Sequence, residues 1–446
     1  MSQTRRKVAV IGSGIAGLSA AWHLSRHCDV TLVEKDDRLG GHSNTVDTID
    51  GPVDTGFIVY NEKCYPNLVQ LFRHLDVKTC ETEMSFGVSV NEGALEYAGR
   101  DLAGMFAQKS NFVKPAYWKM ISDILRFYRN AGMALAQSRE GEETLGDYLS
   151  RNGYGQMFIQ DHIIPMGAAI WSTPANQMLK YPLRSFLVFC ENHGLLQLEN
   201  RPQWRTVVGG SRNYVNRLME AFSGRVLTDR PVKTVERLAD GVHVESHSGW
   251  QQRFDDVVLA CHADQALAMM KDAGHQERDL LGRFKYQRNR AILHTDESLM
   301  PKRRSAWCSW NYLAEGETSD RELCVSYWMN NLQPIAGKRD YFVTLNPIRE
   351  PRAGSIVRSF LYDHPIYDLD SEKAQHQLWH LQGNGGLWFC GSYFGYGFHE
   401  DGIQSGLAVA EAISGIARPW SVPAGSDRVN LPESWLEAWP HKEEAA

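Results

Sequence analysis

Residues 7–35, KVAVIGSGIAGLSAAWHLSRHCDVTLVEK, decide the fold. A continuous β-rich run from Val8 to Ile11 meets Gly12, Gly14 and Gly17; an Ala- and Leu-rich helical stretch follows, and a second β-rich run covers Val30 to Val33. That order predicts a βαβ unit. The G-x-G-x-x-G spacing at its strand–helix junction predicts a dinucleotide site. Gly12 permits the tight turn, Gly14 lets a pyrophosphate approach backbone N–H groups, and Gly17 permits close helix packing, with Ser13 and Ala16 in the same turn. Glu34 ends the second strand, where a ribose hydroxyl needs an acceptor, and Lys35 follows it. A purely structural strand–turn–helix is the alternative, and the placement of Glu34 argues against it.

The rest of the chain bounds the answer. With 446 residues, 43% hydrophobic and 22% charged, it can bury a large core and should form about two domains. A net charge of -6 offers no basic field for nucleic acid, so a small-molecule partner is expected. The eight cysteines, at 28, 64, 80, 190, 261, 308, 324 and 390, lack the spacing of a zinc ribbon or a redox dithiol, so they should be reduced and mostly buried, with no metal site. The chain passes from MSQTRRK directly into a strand, and no apolar run is long enough to span a bilayer. A cytoplasmic location is the expectation, with peripheral contact at the inner membrane face left open.

From Pro115 to Gln137, Trp118, Ile121, Ile124, Leu125 and Tyr128 recur at helical intervals, and most of 100–200 reads as helical. After Arg205 strand patterns return in TVVGGS, RVLTDRPVKTVERL, GVHVESHSG and FDDVVLAC. A second β-rich block, YQRNRAILHT, SAWCSWNYLA, ELCVSYWMN, DYFVTLNP and SIVRSFLYD, suits an antiparallel meander. GGLWFCGSYFGYGFHEDGIQSGLAVAEAIS should be a strand, a glycine-rich loop and a helix, and the tail beyond Ile416 irregular.

DRLGGHSNT at 37–45 and VDTGF at 53–57 add a second glycine pair and a D-x-G loop. With Glu34, Arg38, Gly40, Gly41, Asp54 and Gly56 in place, the chain resembles the FAD-containing amine oxidase and phytoene desaturase superfamily. VVGGS, PVKTVERL, DDVVLAC and the C-terminal loop extend the resemblance to the middle and far end. It implies an α/β architecture: a discontinuous FAD-binding Rossmann-like domain (1–80, 205–265 and 380–420), an α+β substrate domain with a helical insert and an antiparallel sheet (81–204 and 266–379), and an irregular tail (421–446). It also implies that His42, Ser43, Thr55, Phe57 and Ile58 join the glycines around FAD, that Val232 meets the adenine, and that Gly391 and Ser392 meet the ribityl and phosphate groups. Gly402 and Ile403 would open a helix whose N–H groups face the flavin ring. His42 stands where many members have arginine. With no cysteine in the attachment context, the FAD should be non-covalent.

VDTGFIVYN, EMSFGVS, IIPMGAAIWS, LHTDESLMP and SYFGYGFHEDGIQSG resemble a bacterial subgroup of predicted NAD/FAD-binding oxidoreductases associated with cyclopropane-fatty-acid-synthase-like methyltransferases, some of them furan fatty acid desaturase-like. That implies dehydrogenation of a fatty-acyl or methyl-branched lipid by hydride transfer to flavin, and association with a lipid methyltransferase. A flavin amine oxidase releasing peroxide, and a flavoprotein partner without turnover, are the alternatives.

His399 is the first candidate proton acceptor, with Tyr393 and Glu400 on the same segment; a histidine that merely caps the helix is the plain alternative. Tyr393 and Phe398 are candidate aromatic walls, and Arg290 the nearest match to a lysine that many amine oxidases present to the flavin. Tyr60, Asn61 and Tyr65 follow the D-x-G loop, and His162, Trp171 and Ser172 lie in the helical insert over the cavity; tyrosines packed beneath a loop and a core tryptophan are the plain alternatives. The helix around 112–129, with four aromatic and four basic residues among its candidates, suits either core docking or an anionic bilayer surface.

Overall fold

In a computed structural model, residues 5–139, 142–171, 175–197, 201–316, 321–423, 425–433 and 435 are described. Strand Lys7–Ile11 lies at the centre of a five-stranded parallel sheet, between Asp29–Val33 and Asp256–Leu259, with Arg225–Leu227 and Leu387–Phe389 at the edges. The three central strands are buried on both faces, which is why VAVI and VVL are unbroken apolar runs, and VTLV nearly so, rather than alternating ones. Helix Ile15–Ser25 is buried along its whole length, against the sheet and against helix His399–Ser414. Those two helices cross at glycines: a Cβ on Gly406 would lie 2.2 Å from the Ala16 carbonyl oxygen, and one on Gly402 would lie 2.8 Å from Ile15 Cγ2. A three-stranded antiparallel meander, Val232–Leu238, Gly241–Ser246 and Gln251–Phe254, is inserted between two strands of the parallel sheet.

The second large sheet has seven strands in the order Ile356–Ile366, Lys285–His294, Phe342–Leu345, Glu322–Trp328, Trp310–Glu315, Phe86–Val90 and Leu95–Ala98. It corrects the expected antiparallel meander in two respects. Lys285–His294 pairs on both sides, with the long Ile356–Ile366 strand and with Phe342–Leu345. Trp310–Ala314 runs parallel to Phe86–Val90, a pairing that requires a long crossover and that local pattern cannot reveal. Helix Pro115–Gln137 turns Tyr117, Met120, Ile124, Phe127, Ala131 and Ala134 into a core shared with helix Leu183–Asn192. Residues Ala266 to Phe284 and Ala374 to Leu378, assigned from sequence to the second domain, pack instead into the core of the parallel sheet. No cysteine is bridged, and six of the eight are buried.

The described part of the tail is not loose. Trp420 stacks on Trp22 at 5.7 Å, Trp435 packs on Trp379 at 4.8 Å, and Arg428 forms a buried ion pair with Asp401, Nε to Oδ1 2.7 Å. Arg428 Nη1 also donates to the Cys64 carbonyl at 2.8 Å. Removing one partner of a buried pair strands the other charge, so Arg428→Met is expected to cost about 3–5 kcal/mol in urea unfolding, and Asp401→Asn in the same chain should return part of it. A loss below about 1 kcal/mol would show that the pair does not anchor the tail.

Candidate active site

A cavity of about 930 Å³ lies between the two large sheets and is lined by residues from both. One end is the glycine turn. Glu34 Oε2 accepts from the backbone N–H and the hydroxyl of Ser13, at 2.8 and 2.5 Å, and Oε1 accepts from Asp36 N–H at 3.0 Å. The carboxylate therefore fixes the turn while lining the cavity. Gly12 has φ +104°, and a Cβ there would stand 2.6 Å from the Ala260 carbonyl oxygen. On Gly14, by contrast, a Cβ would meet no protein atom within 4 Å: that side of the turn is open. Arg38 donates from Nη2 to the Gly41 carbonyl at 2.8 Å, while its Nη1 is buried without a hydrogen-bond partner, as is His42 Nε2. Buried donors left unpaired beside a bare backbone turn make a cradle for an anion. Pro231, Val232 and Lys233 close this end.

The middle of the cavity is set by a buried carboxylate. Asp54 accepts from Ser211 N–H at 2.9 Å, Ser211 Oγ at 2.8 Å, Thr45 Oγ1 at 2.6 Å and Gln333 Nε2 at 2.7 Å. Burial nevertheless pushes it up to about 6. These bonds hold the following Thr55-Gly56-Phe57 loop, in which Phe57 N–H donates to the His42 carbonyl at 2.8 Å. Phe57 stacks on His399 at 3.7 Å between ring centres. His399 Nε2 lies 3.0 Å from Ser43 Oγ and 3.2 Å from the Tyr214 hydroxyl, and burial lowers the imidazole to about 3, so it is neutral.

Opposite stands an aromatic wall of which the family motif flagged His42 alone. His262 stacks on Tyr286 at 4.4 Å, and His42 stacks on Tyr362 at 4.9 Å with His364 at 5.3 Å. Burial lowers His42 and His262 to about 4 and His364 to about 3. The available signal was the i, i+2 spacing of Tyr362 and His364, which puts both rings on one face of a strand. The far end is largely apolar: Ile58, Val59, Met84, Ile170, Trp171, Phe189, Leu195, Trp204, Trp310, Leu345 and Phe398 line it, with the neutral His193 ring stacked on Phe189 and Trp204, and with Tyr65, Tyr327 and Tyr367. Among the described residues, the acidic side chains lining the cavity are Glu34 and Asp36 at the glycine turn and Asp363 beside His262 and His364.

Residues 15–305 match the flavin containing amine oxidoreductase family. The chain belongs to that family. Its cofactor is accordingly FAD, and the open face of Gly14 with the unpaired Arg38 Nη1 fits the pyrophosphate of that group. The chain is 27% identical over 258 residues to the flavin-containing amine oxidase A of Canis lupus familiaris, covering 54% of this chain and 46% of that one. It thus spans about half the length of the curated relatives it matches. Over 57 residues it is 44% identical to the hydroxyneurosporene desaturase of Cereibacter sphaeroides, 13% of this chain and 12% of that one. In fold it is similar to putrescine oxidase (TM-score 0.67, 16% identity, 92% and 98% of the two chains) and to a fatty acid isomerase from P. acnes (0.65, 14%, 91% and 98%).

Against the flavin family's cleft, the sequence candidates divide. Gly12, Ser13, Gly14, Ala16, Glu34, Lys35, Arg38, Gly40, Gly41, His42, Thr55, Gly56, Phe57, Ile58, Val232, Gly391, Ser392, Gly402, Tyr393 and His399 all line the cavity, as do Tyr65, Trp171 and Phe398. Gly17 does not: its role is packing, since a Cβ would lie 1.9 Å from the Gly12 carbonyl oxygen. Ser43 supports His399 from behind, and Ile403 is fully buried in the core of the parallel sheet. Glu400 points away from the cavity, accepting from the Asn67 and Leu68 backbone at 3.0 and 3.1 Å, so it secures helix Pro66–His74 instead of touching substrate. Arg290 is half-exposed and paired with Glu350 on the outer side of its strand. Tyr60 and Asn61 are buried off the cavity, and His162 bonds to Tyr97 within the helical core. Ser172 lies outside the described residues.

Cys261 also lines the cavity, and burial pushes its thiol up to about 12, which keeps it protonated. Among the described residues no group of three histidine, cysteine or acidic side chains is placed to hold a metal ion.

Proposed function

We propose that the protein is an FAD-dependent dehydrogenase that desaturates a hydrophobic, fatty-acyl or methyl-branched lipid substrate. The observation that carries this reading is the apolar end of the cavity, which has no acidic side chain among its described lining residues. A protonated amine brought there would lose its hydration without gaining a counter-charge, at a cost of several kcal/mol. An acyl chain gains at the same surface, at roughly 0.8 kcal/mol per buried CH₂.

Bound non-covalently, FAD supplies a two-electron acceptor. The chain's own residues bind and orient. The glycine turn and Arg38 would hold the pyrophosphate, Glu34 the ribose, and Pro231, Val232 and Lys233 the adenine end. His399 keeps Phe57 in place by stacking while its Nε2 is shared by Ser43 and Tyr214, which makes it a positioning residue more than a proton acceptor. Trp171, Phe189 and Phe398 would keep water from a bound acyl chain and orient it within the cavity. The resemblance to the methyltransferase-associated subgroup favours a methyl-branched acyl chain, made by a partner enzyme, as the substrate.

Anaerobic absorbance of the FAD-loaded protein tests this. Methyl-branched or unsaturated phospholipid dispersed in detergent is expected to bleach the oxidised flavin band within minutes, and a panel of amines to leave it unchanged. Bleaching by amines alone would overturn the lipid assignment, and bleaching by neither would favour a flavoprotein partner without turnover.

A further inference from the structure

We propose that the outer face of helix Pro115–Gln137, with the turn that precedes it, docks on an anionic phospholipid bilayer. Among the described residues no helix is long and apolar enough to cross a membrane, so the contact is with the surface. Leu102, Phe112, Val113, Trp118, Leu125 and Met133 are exposed together along this one stretch, Val113 at 83% and Met133 at 62%. Phe112 stacks on Phe106 at 3.8 Å, and Trp118 approaches the same ring at 5.2 Å, so the aromatic end is a preformed wedge. Large apolar side chains left exposed along one short stretch of a folded chain mark a contact surface.

Charge selects the occupant. Between Leu102 and Gln137 the chain has five basic residues and one acidic residue, Asp123, which is buried and paired with Arg126. Lys109, Lys119 and Arg129 are exposed and form no ion pair with a described residue. A positive strip on a chain of net charge -6 orients the molecule on a negative surface. A second copy would oppose like charges across the same strip. The inner face of the helix shares its core with Trp171 and Phe189, which wall the apolar end of the cavity. Docking therefore places that end one helix layer from the bilayer. Only this purpose, substrate taken from lipid, rests on the function proposed above; the contact rests on the surface itself.

Flotation of the FAD-loaded full chain with vesicles decides it. Recovery with phosphatidylglycerol vesicles is expected to exceed that with pure phosphatidylcholine by about tenfold and to fall at high salt. The triple variant Val113→Asp, Leu125→Asp, Met133→Asp changes only exposed positions, and should stay yellow, be bleached by detergent-dispersed lipid like the wild type, and no longer float. Lys119→Glu with Arg129→Glu is the second variant, expected to lose the salt-sensitive part of binding. Wild type that stays at the bottom of the gradient, or a triple variant that floats like wild type, would overturn the proposal. So would a dimer that the triple variant dissociates without any vesicle binding. Because bleaching is read in detergent, failure of the membrane contact and failure of the lipid reaction are separate results.

Discussion

In Gly14→Val, FAD affinity is expected to fall about 10- to 100-fold while the unfolding midpoint stays near that of the wild type. A Cβ at this position meets no protein atom within 4 Å, so the new side chain fills cradle rather than core. The backbone imposes nothing against it, since Gly14 has φ -65°. Titration of flavin into the apo-protein, with urea unfolding alongside, separates the two quantities. Gly17→Ala supplies the contrast: its Cβ would lie 1.9 Å from the Gly12 carbonyl oxygen, and it should destabilise the fold whether or not FAD is present. A Gly14→Val protein that retains flavin as well as the wild type would place the pyrophosphate elsewhere.

Acid should unfold the apo-protein over a narrow range. His162, His193 and His294 are buried, and burial lowers them to about 4, 3 and 4. His294 is held neutral by its contacts: Nδ1 accepts from Asp296 N–H at 3.2 Å, and Nε2 donates to Thr344 Oγ1 at 2.7 Å. Above pH 6.5 the folded and unfolded chains are equally neutral at these sites. Below it the unfolded chain binds protons that the folded chain refuses, so stability falls with pH until the folded values are reached, by about 1.4 kcal/mol per pH unit for each histidine. Three of them together cost about 4 kcal/mol per unit. Asp54, raised to about 6, works in the opposite direction below that pH and offsets roughly one histidine, and the carboxyls of Asp161, Glu400 and Asp401, which burial also raises, act in the same sense. The urea midpoint measured at pH 7, 6 and 5 is expected to drop steeply in the last interval; a flat profile would mean that these histidines are protonated in the folded state. His42, His262, His364 and His399 line the same cavity as His193, and burial lowers them as well, so in the apo-protein they steepen the fall.

The dinucleotide end of the site was legible because its physics is local. A turn that brings phosphate against backbone needs glycines at fixed spacing, and one short stretch of chain, Gly12 to Glu34, supplies turn, helix and acceptor. The β-rich runs Val8–Ile11 and Val30–Val33 likewise marked the two strands of a βαβ unit, because both are short and bounded by glycine or charged residues.

What stayed hidden depends on contacts between distant segments. Tyr286, Tyr362 and His364, from two strands of the seven-stranded sheet, and His262, at the start of helix Ala263–Met269, close on His42 from more than 200 residues away, and none of the four belongs to a spacing pattern that a ligand would impose. Glu400 and His399 are adjacent in sequence yet face opposite ways on the first turn of one helix, so only packing decides that one lines the cavity and the other ties down Asn67. The sequence by itself determined the cofactor cradle, since its chemistry is written in successive residues. The tertiary structure alone decided which side chains close around the substrate, because convergence in space is the product of the whole fold.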